Sequence, residues 1–388
     1  MIETLDHWSR GEPLRADVCV IGAGPAGITL ALDLAERGLT VVLLESGHLG
    51  PHAATQALCE GEVADPLLHS PPDTYRLRQL GGASAIWGGR CMPMDRLDFE
   101  ARPQVPLSGW PLGYEELHPF YVQANHWAEA GRYAYSAREA LPGALPLIRG
   151  FDSAHISTDG LERFSCPTDF GRRYRRRLEL SARVRVLLGA NCTHLQLAED
   201  GRRLSGVLAE SLQRRRVQVQ SRATVLATGG LETARLLLAS QDVAQAGIGN
   251  AHGVVGRYYM CHIAGNVGLL EVAGSPEAVR HGYERAPEGV YCRRRLAVVA
   301  AEQQRHGLAN LVARLHFPRI SDPAHRSGVL SGLFLARRFI RYEYARRLHD
   351  AQPGAGDWLR HLRNVAADPL DTAAFLGCLL YTSDAADE

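Results

Sequence analysis

Gly22-Ala23-Gly24-Pro25-Ala26-Gly27 spells G-x-G-x-x-G, a spacing that lets the backbone hold a phosphate. In it the first glycine makes a tight turn, the second lets the chain approach a pyrophosphate, and the third lets a helix pack close to a strand. The helix that follows presents free N–H groups and the positive end of its dipole to the phosphates. Glu45 stands 21 residues after Gly24, where a carboxylate accepts bonds from ribose hydroxyls and disfavours the 2′-phosphate of NADP. The chemistry is adenine-dinucleotide binding, and at this point FAD and NAD both remain open.

A second glycine-rich segment, Leu80-Gly81-Gly82-Ala83-Ser84-Ala85-Ile86-Trp87-Gly88-Gly89, is flanked by Arg78 and Arg90. By itself it reads equally as an ordinary loop around one buried tryptophan. Further on, Val225-Leu226-Ala227-Thr228-Gly229-Gly230 and the leucine-rich run after it repeat the order of strand, small residues and helix. A pyridine-nucleotide disulfide reductase would need a redox cysteine pair and a second strand-linked G-x-G-x-x-G. Neither is present: Gly247-Ile248-Gly249 lies in a polar loop and lacks the third glycine.

The elements that must hold these residues follow from periodicity. Residues 18–21 are a continuous apolar run broken by glycine, which predicts a buried strand. Residues 28–37 carry apolar side chains at helical spacing and stop at Gly38, and 40–44 predict a second buried strand. This is a β-α-β unit. Residues 50–108 are rich in glycine and proline, as functional loops are. Residues 114–130 predict a helix, and 184–188, 194–198, 205–212, 216–220 and 223–227 predict strands, with a helix at 231–240. From 262 onward the alternating runs at 265–272, 290–299 and 311–317 predict a second, more antiparallel domain.

Composition bounds the rest. A chain of 388 residues is expected to form two domains, or one with a large insertion. Its 43 basic residues, all arginine, face 42 acids, and a net charge of +1 argues against a dedicated nucleic-acid binder. Apolar content of 46% excludes wholesale disorder. The eight cysteines are scattered, as reduced thiols are, and the histidines form no H-E-x-x-H arrangement, so no metal site is expected. Residues 1–15 hold no apolar signal core, and no run approaches the roughly 18 apolar residues that span a bilayer, so a cytoplasmic protein without a membrane span is expected. His262 is read as a structural histidine, and the arginines of Arg172-Arg173-Tyr174-Arg175-Arg176-Arg177 as a solvated helix face.

Taken together, the ordered motifs resemble the glucose–methanol–choline (GMC) family of FAD-dependent alcohol oxidoreductases, of the bacterial choline-dehydrogenase-like kind. The resemblance runs from Asp17 to about His262. It takes in both glycine segments, Ser108-Gly109-Trp110-Pro111, the strand into Gly229-Gly230, and Val255-Gly256-Arg257. It implies an α/β fold, α+β overall: a Rossmann-like FAD-binding domain at 1–260, with flavin-covering loops and a helix inserted at 50–150. A partial, mainly antiparallel substrate-binding domain follows at 261–377.

The resemblance implies FAD diphosphate at Gly22, Ala23, Gly24, Pro25, Ala26 and Gly27, and ribose at Glu45 beside Ser46. It implies isoalloxazine near Gly82, Ser84 and Trp87, and adenine near Cys192 and the strand end from Ala227 to Gly229. Some relatives attach FAD through a histidine just before the equivalent of Trp87; Ile86 stands there, so non-covalent FAD is expected. The implied activity is oxidation of a small sugar- or choline-like alcohol by hydride transfer to flavin N5, while a histidine base takes the hydroxyl proton. The electron acceptor is not legible.

In the family that histidine lies in a carboxyl-terminal segment, and no counterpart is found in this chain. Residues 378–388 resemble a translated sequencing adapter. The expectation is that 1–377 belong to a longer oxidoreductase and that the catalytic histidine lies beyond them. Alternatives are a fragment that binds FAD without turnover and, less favoured, a nicotinamide-dependent dehydrogenase.

Overall fold

The computed structural model describes residues 1–8, 11–166, 168–261, 279–315, 326–336 and 358–384, with the single positions 265, 268, 270, 320, 321 and 323. The chain divides into two compact units: Met1–Ile86 with Asp169–Asn266, and Trp87–Thr168 with Val267–Glu388.

In the first unit β1 (Ile2–Thr4), β2 (Leu14–Ile21), β3 (Val41–Leu44), β4 (Val184–Leu188), β5 (Asn191–Leu197), β6 (Leu204–Glu210) and β7 (Arg216–Leu226) form one sheet. Its order is β1-β4-β3-β2-β7-β6-β5. From β1 to β7 the neighbours are parallel; β7–β6 and β6–β5 are antiparallel. Val41 to Leu44 are all buried, as are Val18 to Ile21, because strands of a parallel sheet lie covered on both faces. Registers Val18↔Val41 and Ala223↔Val18 align the strand ends from which the site grows. Helix α1 (Pro25–Glu36) links β2 to β3; Pro25 opens it, where a missing N–H is harmless, and Gly38 at φ 88° follows its end. Helices α2 (Phe170–Leu180) and α3 (Gly230–Ala239) complete what the site needs.

Two predicted strands, 216–220 and 223–227, are one strand, β7. Its first half pairs antiparallel with β6 through Arg216↔Glu210 to Val219↔Val207, and from Val219 on it pairs parallel with β2. The polar Ser221-Arg222 step that looked like a break is an exposed stretch where Arg222 meets Asp17 at 3.5 Å.

The second unit holds a four-stranded antiparallel sheet of Glu284–Arg285, Tyr291–Arg294, Leu161–Phe164 and Arg90–Cys91 in that order. A three-stranded sheet of Val312–Ala313, Leu296–Val298 and Ile156–Ser157 lies in the same unit. Because Arg90–Cys91 and Leu161–Phe164 pair into a sheet with Tyr291–Arg294, residues 87–168 group with the later chain. The contiguous division expected at residue 260 is thus an interleaved one. Arg163 is fully buried there, its Nε donating to the Ala130 carbonyl at 2.7 Å, Nη1 to that of Ala134 at 3.1 Å, and Nη2 to Glu288. The predicted strand at 265–272 falls almost wholly outside the described residues. Among the described residues no helix is long and apolar enough to cross a membrane.

Candidate dinucleotide site

The first glycine segment is shaped by what surrounds it. The Gly22 N–H donates to the Leu44 carbonyl at 2.7 Å, and its φ of 99° is open to glycine. A Cβ on Gly27 would lie 1.8 Å from the Gly22 carbonyl oxygen, so the helix packs where only glycine fits. Gly24 is the opposite case: a Cβ there would meet nothing within 4 Å. No side chain caps the amino end of α1, and no acid lies in its first turn. Free space, glycine backbone and uncapped helix N–H groups converge on one spot, which is what a diphosphate requires.

The second glycine segment lies against the first. The Gly81 N–H donates to the Ala23 carbonyl at 2.8 Å, and a Cβ on Gly82 would come 3.2 Å from Gly24 Cα. Ser84 is buried; its hydroxyl donates to the Gly81 carbonyl at 2.6 Å and accepts from the Phe170 N–H at 3.0 Å. It therefore ties the loop to α2. Asp169 caps that helix, accepting from Gly171 N–H at 2.8 Å and Arg172 N–H at 3.2 Å. On the other side, the Ala227 N–H donates to the Ile21 carbonyl at 2.8 Å, and Gly229 at φ 77° opens α3. Gly22, Ala23, Gly24, Gly27, Gly82 and Ala227 thus form one cluster. Trp87 begins the second unit, where its indole N–H donates to the Thr168 carbonyl at 3.1 Å.

Glu45 is 6% exposed, and both of its oxygens are engaged by backbone. Oε2 accepts from the Ala23 N–H and Oε1 from the Gly47 N–H, each at 2.8 Å. Burial pushes its carboxyl above the usual range, against the pull of those two N–H groups and of Arg78. The carboxylate placed by spacing for a ribose is here first a brace for the glycine turn. Ser46 accepts from Arg78 Nη1 at 2.8 Å and donates to Asn191 Oδ1 at 2.6 Å. Cys192 is buried on β5 in the core cluster, and burial pushes its thiol up to about 12.

Two features go unnoticed in the sequence. A cleft lies beyond the carboxyl ends of β1, β4 and β3, the edge of an open α/β sheet where ligands bind. Asp6, Ser46, His48, His52, Asn191 and Gln213 line it. His48 and His52, four residues apart, meet edge to face at 4.7 Å. That H-x-x-x-H spacing is their only sequence signal, and among the described residues no three ligating side chains form a metal site. The second is an ion cluster. Glu232, at the start of α3, takes Arg76 at 2.8 Å, Arg78 at 3.0 Å and Arg235 at 2.7 Å. Burial would raise its carboxyl, but Arg235, Arg78 and Arg76 hold it below the usual range. Arg78, flanking the glycine run, was the visible hint. His262 lies outside the described residues.

This fold and this cradle define a dinucleotide-binding α/β protein. The family profile described as FAD dependent oxidoreductase matches residues 17–295, and the chain belongs to that family. FAD is accordingly its cofactor, and the open space at Gly24 beside the uncapped α1 fits a diphosphate. The chain is 25% identical over 306 residues to 2-methyl-1,2-propanediol dehydrogenase of Mycolicibacterium austroafricanum, covering 64% of this chain and 55% of that protein. It is 28% identical over 308 residues to paromamine 6'-oxidase of Streptomyces fradiae, covering 65% and 55%. The chain thus spans about half the length of these curated relatives. Among solved structures, pyridoxine 4-oxidase from Mesorbium loti aligns with a TM-score of 0.38 at 19% identity, over 58% of this chain and 51% of that one.

Proposed function

We propose that the chain is part of a GMC-type oxidoreductase, of the choline-dehydrogenase-like kind, that oxidises the CH–OH group of a small alcohol. The observation that carries this reading is the dinucleotide cradle in a chain similar to a 2-methyl-1,2-propanediol dehydrogenase and to a paromamine 6'-oxidase. When bound, FAD supplies the hydride acceptor. The residues of this chain supply the holding. Gly22 to Gly27 and the amino end of α1 receive the diphosphate, and Gly82 closes over it. Glu45 keeps the Ala23 N–H aimed and offers its remaining lone pairs to a ribose. Ser46, His48 and Asn191, with Cys192 and the Ala227 to Gly229 strand end, would receive the adenosine end. Ser84 and Trp87 hold the loop that borders the isoalloxazine.

With Ile86 at the position before Trp87, the flavin is held without a covalent bond. Acid precipitation of the flavin-loaded chain should release all yellow colour into the supernatant; colour retained in the pellet would refute the non-covalent reading. The alcohol reading is tested by anaerobic titration with diols and aminosugars, which should bleach the flavin band in the whole protein. An uncut gene sequence that continues past residue 377 and adds a histidine-bearing segment would support the proposal that the base lies there. A flavin band unmoved by every alcohol in a whole protein would sink the reading.

A further inference from the structure

The helix Tyr114–Trp127 ends in a turn that asks for glycine. The Glu129 N–H donates to the His126 carbonyl at 3.1 Å and the Ala130 N–H to that of Asn125 at 2.9 Å, the paired bonds of a Schellman motif with Ala128 as its cap. The residue after the cap takes the left-handed conformation in this motif, and Glu129 does so at φ 52°. A side chain in that conformation costs stability that glycine would not. The turn by itself therefore gives no reason for a glutamate.

Its carboxylate supplies one. Glu129 Oε2 accepts from the hydroxyl of the buried Thr168 at 2.9 Å. The Thr168 hydroxyl oxygen accepts in turn from the buried Ser165 hydroxyl at 2.8 Å, and the Thr168 N–H donates back to Ser165 Oγ at 2.8 Å. A charged acceptor at the end of this chain sets the direction of both hydroxyl protons. The turn so fixed grips the tryptophan segment at two points. The Trp87 indole N–H donates to the Thr168 carbonyl at 3.1 Å, and the Ser165 N–H donates to the Gly89 carbonyl at 2.7 Å. All of these residues lie within the second unit. We propose that Glu129 is a positioning residue for the flavin, which fixes the Trp87 indole by way of Thr168. The proposal rests on the reading that Trp87 belongs to the segment bordering the isoalloxazine.

The test uses isotope labelling of the tryptophans in the full chain, which holds five, with W87F to assign the Trp87 indole N–H signal. Without flavin, E129G should melt no lower than wild type, because glycine relieves the turn. Its Trp87 indole should nevertheless exchange with solvent about tenfold faster, the factor that a lost hydrogen bond to a charged group carries. T168V keeps the side-chain shape and removes the hydroxyl, so it should match E129G in exchange. E129Q keeps an acceptor and should stay near wild type. With FAD bound, the visible circular dichroism of the flavin should change in E129G and T168V and hold in E129Q. Unchanged Trp87 exchange in E129G and T168V would overturn the proposal. So would a lower melting temperature for E129G, which would make Glu129 a structural cap, or an E129Q that loosens Trp87 as E129G does. A wild-type Trp87 signal unmoved by FAD would instead sink the isoalloxazine reading, and with it the flavin role of Glu129.

Discussion

The brace formed by Glu45 makes a prediction that separates two roles for one carboxylate. If Glu45 only met a ribose, Glu45→Gln would weaken FAD and leave the flavin-free protein unchanged. In the structure its two oxygens accept the Ala23 and Gly47 N–H groups at 2.8 Å within a buried site. A glutamine amide can accept one of those bonds, but its NH2 end then faces the other N–H donor. Stranding one buried N–H costs about 1–3 kcal/mol. For a unit in the range of 150–250 residues, that lowers the melting temperature by roughly 2–12 °C.

The pH dependence carries a sign of its own. Burial raises the folded carboxyl above its unfolded value of about 4.3, so the folded state holds the proton more tightly. The contribution of Glu45 is then fully present below the unfolded value and is lost as pH rises through the folded one. Glutamine does not titrate, so the titration-linked part of the wild-type advantage over Glu45→Gln should be largest below about pH 4.3 and shrink toward neutrality. The assay is thermal unfolding of the flavin-free chain and of Glu45→Gln across that range, read by circular dichroism. Identical melting temperatures in the flavin-free state, with FAD affinity alone reduced, would refute the brace.

Three further outcomes follow from the geometry. Gly24→Val places its side chain in open space at φ −75°, so the chain should fold with a near-wild-type melting temperature yet take up little FAD, measured by the flavin absorbance of the purified protein. Gly27→Ala, whose Cβ would sit 1.8 Å from the Gly22 carbonyl oxygen, should instead lose both melting temperature and flavin. Arg163→Ala leaves the Ala130 and Ala134 carbonyls without their buried donor, and should destabilise the second unit by about 1–3 kcal/mol for each stranded carbonyl in urea unfolding. Glu232, held below the usual carboxylate range by its arginines, contributes stability above its unfolded pKa that is lost as pH falls through the lower, folded value. Glu232→Gln should therefore cost more at pH 7 than at pH 3 when melting temperatures are compared.

The parts of the fold that were legible are those whose signals are local. The β2–α1–β3 unit announces itself because an apolar run, three glycines and a second apolar run lie within thirty-odd residues, and β4 was read to its end residues. What stayed hidden depends on partners far along the chain. Nothing near Arg90 says that a two-residue strand will pair with Leu161–Phe164, nor near Leu161 that Tyr291–Arg294 will join it. Arg293, Arg294 and Arg295 look like exposed residues by type, but are buried because each guanidinium finds an acceptor within its own unit, among them the Leu315 carbonyl, Glu284 and Asp95.

The candidate site shows the same division at finer grain. Gly24 and Gly27 are the same residue type three positions apart, and the motif says that both must be glycine without saying why. The structure separates them: one leaves room for a ligand, the other for a carbonyl of its own chain. Spacing likewise delivers a carboxylate to the end of β3, but whether it meets a ribose or a backbone depends on where the Ala23 and Gly47 N–H groups point. That direction is set by packing against segments beyond the motif. Gly81 hangs on the Ala23 carbonyl, and a Cβ on Gly47 would lie 2.1 Å from the carbonyl oxygen of Arg78. A G-x-G-x-x-G motif with an acid after it therefore names a ligand class, whereas the shape that holds the ligand is made by the second glycine segment some fifty residues on.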